Sequence, residues 1–383
     1  MRAYLDYNAT TPLCAEAQAA MLAALELKGN ASAVHTEGRA ARALIEASRA
    51  DVARLVNARA RDVVFVSGGT EANNTALVPG VHGANSASCD RLLMSSIEHV
   101  SVLNGHGFAP DQVSAIAVGR NGVVDLEHLR RLLMQADAAG ERALVSVMLA
   151  NNETGAIQPV AAIAALAHKH GGLVHCDAIQ AAGKISVDMP ALGVDLMSLS
   201  AHKIGGPQGV GALIVRDGIT VPPLMRGGGQ ELSRRAGTEN LVGISGFGAA
   251  ARIAAGRVSA MGQVERLRDL LEAQIKRLAP KVEIFAEAAP RLPNTSNFGL
   301  AGLTAETAII GFDLEGVAVS SGSACSSGKV ANSHVLKEMR ITPDVSAGAI
   351  RVSIGYETGE AEIDRFLAAF ARLAARIEAS AAA

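Results

Sequence analysis

Cysteine is scarce in this chain of 383 residues: Cys14, Cys89, Cys176 and Cys325 are the whole set. No two of them form a C-x-x-C pair or a short metal-ligand spacing, which argues against both a disulfide framework and a zinc site. Chemistry by a cysteine is therefore expected to be done singly. A basic block is missing as well. With a net charge of -2 there is no phosphate-binding footprint, so neither nucleic acid nor an anionic membrane surface is an expected partner. The start, "MRAYLDYNATTP", reaches charged and turn-forming residues before any apolar run of signal-peptide length, and Arg252 interrupts the longest Ala/Gly-rich stretch, 241–256. The expected compartment is the cytoplasm. No internal repeat and no long disordered linker is visible.

What the sequence does contain, from about Asp62 to Val215, is an alternation of short apolar runs, polar or Gly-rich turns and segments with helical spacing. Examples are "DVVFVSGGTEANNTAL", "RLLMSSIEHVSVL", "ALVSVMLANNETG", "GLVHCDAIQAAGK" and "DLMSLSAHK". Such alternation predicts strands joined by crossovers in a mostly parallel sheet, with ligands outside the carboxyl ends of the strands. After Gly256 the pattern changes. Val264, Leu267, Leu270, Leu271, Ile275 and Leu278 recur at helical spacing and lead into a second region, which closes with the amphipathic "IDRFLAAFARLAARIEASAAA". The expected division is a large domain over 15–256 and a smaller one made of 1–14 and 257–383, which carries a Ser/Gly-rich cysteine loop at about 320–345.

Lysine is also scarce. The chain has Lys28, Lys169, Lys184, Lys203, Lys276, Lys281, Lys329 and Lys337, and of these Lys203 stands directly after an apolar run, in "LMSLSAHKIGGPQG". A lysine there can form a Schiff base with a carbonyl cofactor, or it can be an ordinary strand-end surface residue. Asp177 ends the preceding run in "GLVHCDAIQ" and can pair with a pyridinium nitrogen or simply cap a helix. Gln180, three residues on, can bond the same ring. "SGGTEANN" offers two glycines and Thr70 at a helix start, an anion site or a plain strand-to-helix turn. Ser200 and His202 can add donors. His99 can stack on a ring or cap a helix, and Asn152 in "NNETG" can bond a ring hydroxyl or do turn chemistry.

Taken together and in order, "YLDYNATTP", "GNASAVHTEGR", "SGGTEANN", "EHVSV", "NNETG", "CDAIQAAGK", "SAHKIGGPQG", "GGGQELSRRAGTEN", "SSGSACSSG" and "IRVSIG" span nearly the whole chain. The sequence resembles the class V aminotransferases, which are fold-type I pyridoxal-phosphate enzymes, and within them the cysteine desulfurases that supply sulfur for iron-sulfur clusters. The resemblance implies an α/β fold with a mostly parallel sheet in a large domain, helices on both its faces, and a smaller α+β domain. It implies pyridoxal 5'-phosphate held by Lys203, with Asp177 on the ring nitrogen, Gln180 and Asn152 on the ring oxygen, and His99 stacked on the ring. Gly69, Thr70, Ser200 and His202 would take the phosphate. Thr238 would reach the phosphate of the other subunit's cofactor, so a homodimer is implied. Arg351 would grip the carboxylate of L-cysteine, with Asn8 nearby. Cys325 would take the substrate sulfur as a persulfide, leaving alanine, and its Ser/Gly tether would carry the sulfur to an acceptor or scaffold protein. No permanent metal is implied, although Cys325 could transiently ligate a cluster.

The chain departs from the family pattern at Ala31 for a usual proline, at Gln208 for a lysine, and at Leu232-Ser233 for an Arg-Gly pair. These positions bear on dimer-facing loops and leave the ring contacts intact. A selenocysteine lyase, an aminotransferase or a cofactor-bound scaffold subunit are the competing readings. The cysteine loop argues against transamination, and retention of Lys203, Cys325 and Arg351 together argues against a scaffold.

Overall fold

The structure is a computed structural model and describes residues 2–84, 86–321 and 333–382. At its centre is a seven-stranded sheet of β1 (Val63–Val66), β2 (Arg91–Ser95), β3 (Val113–Ile116), β4 (Ala143–Met148), β5 (Leu173–Asp177), β6 (Leu196–Ser200) and β7 (Gly211–Val215), in the spatial order β1-β7-β6-β5-β4-β2-β3. From β6 across to β3 each neighbouring pair is parallel, whereas β7 is antiparallel to both β1 and β6. All residues of β4, β5 and β6 are buried, as befits strands covered on both faces, and the polar Ser146, His175 and Ser198 within them bond one another. The mostly parallel sheet read from the alternation is present. Its antiparallel member has a local cause: the connection 201–210 between β6 and β7 is too short for the crossover that a parallel return requires.

Helices α1 (Ala15–Leu25), α2 (Thr36–Leu55), α3 (Gly69–Ala76), α4 (Val100–Leu103), α5 (Leu126–Ala138), α6 (Val160–Lys169) and α7 (Leu241–Arg257) surround this sheet. In α5, Asp125 accepts hydrogen bonds from the N–H groups of Glu127 and His128, and Leu129, Leu133 and Ala136 form one buried face. The Ala/Gly-rich stretch is α7, packed against α1 and α2. A Cβ added at Gly248 would lie 2.6 Å from the Ser48 Cα, and one at Gly246 would lie 2.7 Å from Met21 Cγ. Small residues are what lets these helices approach. Among the described residues, 241–278 is the one helical stretch long and apolar enough by composition to cross a membrane, and 56% of its test window is buried inside the protein.

A second apolar cluster gathers α8 (Met261–Leu278), α9 (Ala305–Leu314), α11 (Glu360–Ala382) and an antiparallel sheet of β8 (Glu283–Ile284), β9 (Thr295–Gly299) and β10 (Ile350–Ser353). The short α10 (His334–Glu338) lies between α9 and α11 in the chain. Four of the eight phenylalanines meet here: Phe312 stacks on Phe366 at 4.9 Å, and Phe298 meets Phe370 edge-on at 5.5 Å. The N-terminus joins this cluster through Ala3 and Leu5, and Ala3–Tyr4 pairs parallel to Val317–Ala318. Phe285, Leu292, Leu336 and Met339 belong instead to the main cluster around the large sheet.

Candidate active site

Parallel strands share one carboxyl edge, so the residues that follow β1, β2, β4, β5 and β6 converge. They enclose a pocket of about 340 Å³ lined by Asn8, Gly69, Thr70, His99, Asn152, Asp177, Gln180, Ser200, His202, Lys203 and Arg351, together with Ala9, Ser101, Met148, Ala150 and Ile179. Each of these polar positions but Asn8 and Arg351 is delivered by a turn leaving the large sheet. Asn8 and Arg351 come from the two ends of the chain, beside and within β10.

Asp177 lies at the bottom of a hydrogen-bonded relay. Its Oδ2 accepts from Asn73 Nδ2 at 2.8 Å, and the same amide nitrogen donates to Ser101 Oγ at 2.9 Å. Ser101 Oγ is 2.8 Å from His99 Nδ1, which also accepts the Ser101 backbone N–H. A backbone N–H only donates, so the neutral His99 ring carries its proton on Nε2. Burial raises the Asp177 carboxyl above its ordinary value, opposed by the Ile179 N–H, Asn73, His99 and Lys203. Burial lowers His99, and Lys203 and His334 act in the same direction against Asp177. Glu98 is completely buried and held well above the carboxylate range by burial and by Asp177, with Oε1 accepting from the Met148 N–H. Asp177 thus accepts donors on both of its oxygens, whereas Glu98 Oε2 has none among the described residues.

Asp177 and His99 both line the pocket; His99 also caps α4, whereas Asp177 Oδ1 accepts the Ile179 N–H at 3.0 Å within a turn and caps no helix. The turn chemistry considered for Asn152 belongs to its neighbour: Asn151 Oδ1 accepts the N–H groups of Glu153 and Thr154. His202 is lowered to about 4 by burial, with Lys203 and Lys184 adding to the effect.

The Lys203 amine donates to the backbone carbonyls of Asn8 at 2.6 Å and Ala9 at 2.7 Å. The Arg351 guanidinium donates to the Asn152 carbonyl at 3.0 Å and to Asp6 Oδ1 at 2.7 Å, while its buried Nε has no partner among the described residues. Cys325 lies outside the described residues. The chain leading to it is pinned where Ser320 and Arg351 exchange backbone hydrogen bonds of 2.7 and 3.2 Å. The chain leaving it is pinned by Ser333 Oγ on Glu153 at 2.5 Å and by His334 Nε2, 2.9 Å from the Glu98 carbonyl. Both anchors therefore sit next to pocket residues.

Thr238 is not in the pocket. It lines a separate cleft of about 240 Å³ with Phe65, Ser67, Glu231 and Arg235. In that neighbourhood Glu231, Leu232 and Ser233 all adopt left-handed backbone angles (φ 47, 56 and 63°), so Ser233 occupies a conformation for which the family's glycine is better suited. The sequence reading missed Asn73, Ser101, Asp6 and Lys184. Asn73 lies in a quoted motif one helical turn beyond Thr70, and that spacing was the available signal, whereas Lys184 lies in a turn stretch that gave none.

The pocket fits a phosphorylated pyridine aldehyde. A buried carboxylate suits a ring nitrogen, and a lysine amine suits the aldehyde. The N-terminus of α3 has no side-chain cap and leaves first-turn N–H groups for an anion. At Gly69 an added Cβ would come within 2.3 Å of Ile179 Cδ1 and force that side chain to move, so glycine leaves the backbone there open to close approach. The volume lies in the range of about 300–1,000 Å³ common for small-molecule sites.

Comparison with known proteins agrees with this chemistry. The family profile "Aminotransferase class-V" matches residues 3–366. A protein named cysteine desulfurase from Cereibacter sphaeroides is 44% identical, over 96% of this chain and 94% of that protein. The cysteine desulfurase IscS of Dictyoglomus turgidum is 38% identical, over 97% of this chain and 94% of its own length. Among solved structures, a NifS-like protein from Rickettsia africae superimposes with a TM-score of 0.86 at 34% identity, covering 97% of this chain and 99% of that one. A structure described as SspA in complex with cysteine gives a TM-score of 0.73 at 26% identity, covering 92% and 98%. With end-to-end similarity in sequence and in fold, the chain belongs to the aminotransferase class-V family and, within it, to the cysteine desulfurases.

Proposed function

We propose that this protein converts L-cysteine to L-alanine and a persulfide on Cys325, and passes that sulfur on for iron-sulfur cluster assembly. The observation that carries the reading is the convergence of Lys203, Asp177 and Arg351 on one pocket, with the chain on both sides of Cys325 anchored beside it. Pyridoxal phosphate, when bound, supplies an electron sink conjugated to the substrate Cα.

The chain's own residues do the rest. Lys203 would hold the aldehyde carbon and move the Cα proton, its amine being kept at hand by the Asn8 and Ala9 carbonyls. Asp177, braced by Asn73 and the Ile179 N–H, would keep the ring nitrogen protonated. His99 would lie on the ring with its Nε2 proton available. Gln180 and Asn152 would bond the ring oxygen, and Gly69, Thr70, Ser200 and His202 the phosphate. Arg351 would take the substrate carboxylate in a two-pronged contact, next to Asn8. The Cys325 thiolate would then attack the substrate sulfur. An S–S bond forms, the Cβ–S bond breaks with its electron pair left at Cβ, and a proton completes the methyl group of alanine.

The wider assignments form part of the same reading. The division into 15–256 and 1–14 plus 257–383 is supported by the separate apolar cluster that joins Ala3 and Leu5 to α8, α9 and α11, although Phe285, Leu292, Leu336 and Met339 pack with the main cluster. A homodimer is supported by Thr238, which lies outside its own chain's pocket, and by exposed Leu22, Leu25 and Leu232. The sulfur acceptor is a protein that docks where the Cys325 segment emerges, and the setting is the cytoplasm. The test is to incubate the cofactor-loaded protein with L-cysteine and a thiol reductant and to count alanine and sulfide. Equal yields are expected. Neither product from a cofactor-bound sample would overturn the reading.

A further inference from the structure

The desulfurase chemistry leaves Lys184 without a task, yet the fold buries it. Its side chain does not line the pocket. It lines a crevice of about 10 Å³ behind it, shared with Tyr7, Asn294, Tyr356 and Lys203, which has room for scarcely one water. Among the described residues no carboxylate lines this crevice. Lys203 and Arg351 are the charged neighbours, and together with burial they hold the Lys184 amine well below the ordinary lysine range. A methionine or leucine could fill this space without the cost of desolvating an amine. The position is therefore poorly explained by packing alone.

What the amine touches gives the explanation. Lys184 Nζ is 2.6 Å from Gln180 Oε1 and 3.0 Å from Asn8 Oδ1. The opposite end of the Gln180 amide donates to the Asn8 carbonyl at 2.9 Å. A backbone carbonyl only accepts, so it requires the nitrogen end of Gln180, and Lys184 takes the oxygen end. The amide is thereby oriented from both sides, and its second N–H is left for the pocket. The same Asn8 carbonyl receives the Lys203 amine, while Asn8 Oδ1 also accepts from Asn294 Nδ2 at 3.0 Å. Lys184, Gln180, Asn8 and Lys203 form one connected set.

We propose that Lys184 is a positioning residue of this pocket: it locks Gln180 with its N–H edge toward the ring oxygen of the bound cofactor and, through Asn8, sets the carbonyl that holds the Lys203 amine. The inference rests on the desulfurase reading, because only a ring oxygen at that edge gives the orientation a use.

The experiment titrates the visible absorption band of the pyridoxal-phosphate-loaded protein with pH, in wild type, Lys184→Met, Gln180→Leu and the double variant. Losing the lock weakens a donor to the ring oxygen and removes an amine, and both changes favour the more protonated form. The Lys184→Met midpoint should therefore rise by about one pH unit. The double variant should shift by less than the sum of the two single variants, because part of the Lys184 effect runs through Gln180. Lys184→Ala, which leaves room for water, is read in the same way should the methionine variant fail to fold. A midpoint unchanged from wild type in the Lys184 variant, or fully additive shifts in the double variant, would overturn the proposal. A wild-type protein that takes up no pyridoxal phosphate would overturn the desulfurase reading instead, so the two failures are distinguishable.

Discussion

Arg351 and Asp6 form an ion pair of 2.7 Å between two residues 345 positions apart, both close to the pocket. The pair fixes one prong of the guanidinium while the Asn152 carbonyl fixes another, so the group that would meet the substrate carboxylate is aimed before substrate arrives. Asp6→Ala should raise the KM for L-cysteine about tenfold or more, with a smaller change in kcat, because a mispointed guanidinium loses a charge-assisted contact. Steady-state kinetics decide this, and an unchanged KM would remove Asp6 from any part in substrate binding.

The four cysteines should separate cleanly by chemistry. Burial pushes the Cys89 thiol up to about 12 and the Cys176 thiol well above its ordinary value, so neither supplies thiolate at neutral pH. Cys325→Ala should retain the cofactor's visible band and lose alanine production, whereas Cys176→Ala should keep turnover. Parallel measurement of absorbance and alanine release would expose a wrong assignment: desulfuration persisting in Cys325→Ala places the nucleophile elsewhere.

Acid sensitivity follows from His175, which is buried between Ser146 Oγ and Ser198 Oγ at 2.9 Å each. Its pKa is lowered from 6.5 to about 3 by burial. Between these values the unfolded chain binds a proton that the folded chain refuses, so folding stability falls as pH drops through 6.5. The loss is about 1.4 kcal/mol per pH unit from this group until the folded value is reached. Chemical denaturation at pH 7 and pH 5 should show the drop, and His175→Gln should flatten it. Equal slopes in both proteins would assign acid sensitivity to other groups.

Gly248 tests the helix packing. Replacement by alanine gains about 1 kcal/mol of helix propensity, but its Cβ would be 2.6 Å from the Ser48 Cα, a backbone atom that cannot step aside. Overpacking of this kind costs about 1–3 kcal/mol, so a lower melting temperature is expected for Gly248→Ala. A higher one would mean that α2 and α7 slide apart without loss.

Most parts of the site that the sequence disclosed sit at or just after the end of a buried strand. Asp177 and Lys203 could be placed because β5 and β6 are short, mainly apolar runs and parallel sheets gather ligands at one edge. Lys184 escaped notice because "QAAGK" looks like an exposed turn, and its burial is created by Asn8, 176 positions away. The antiparallel course of β7 was equally hidden, since strand direction depends on the length of the return and not on side-chain periodicity. Asn151 and Asn152 are adjacent and chemically identical, so composition could not tell which would close the turn and which would face the pocket.

The N-terminal segment has a temporal consequence. The Asn8 N–H donates to Ser353 Oγ, the Ser353 N–H donates in return to the Leu5 carbonyl, and Arg351 reaches Asp6. Residues near Asn8 therefore wait for partners made 345 positions later. The large sheet can assemble while the ribosome is still at work, but the wall of the pocket that Asn8 and Arg351 build closes only once β10 has been made, which is a long loop closure in entropic terms. Nascent fragments ending before Ile350 would thus emerge with the large sheet in place and the proposed grip for substrate still missing.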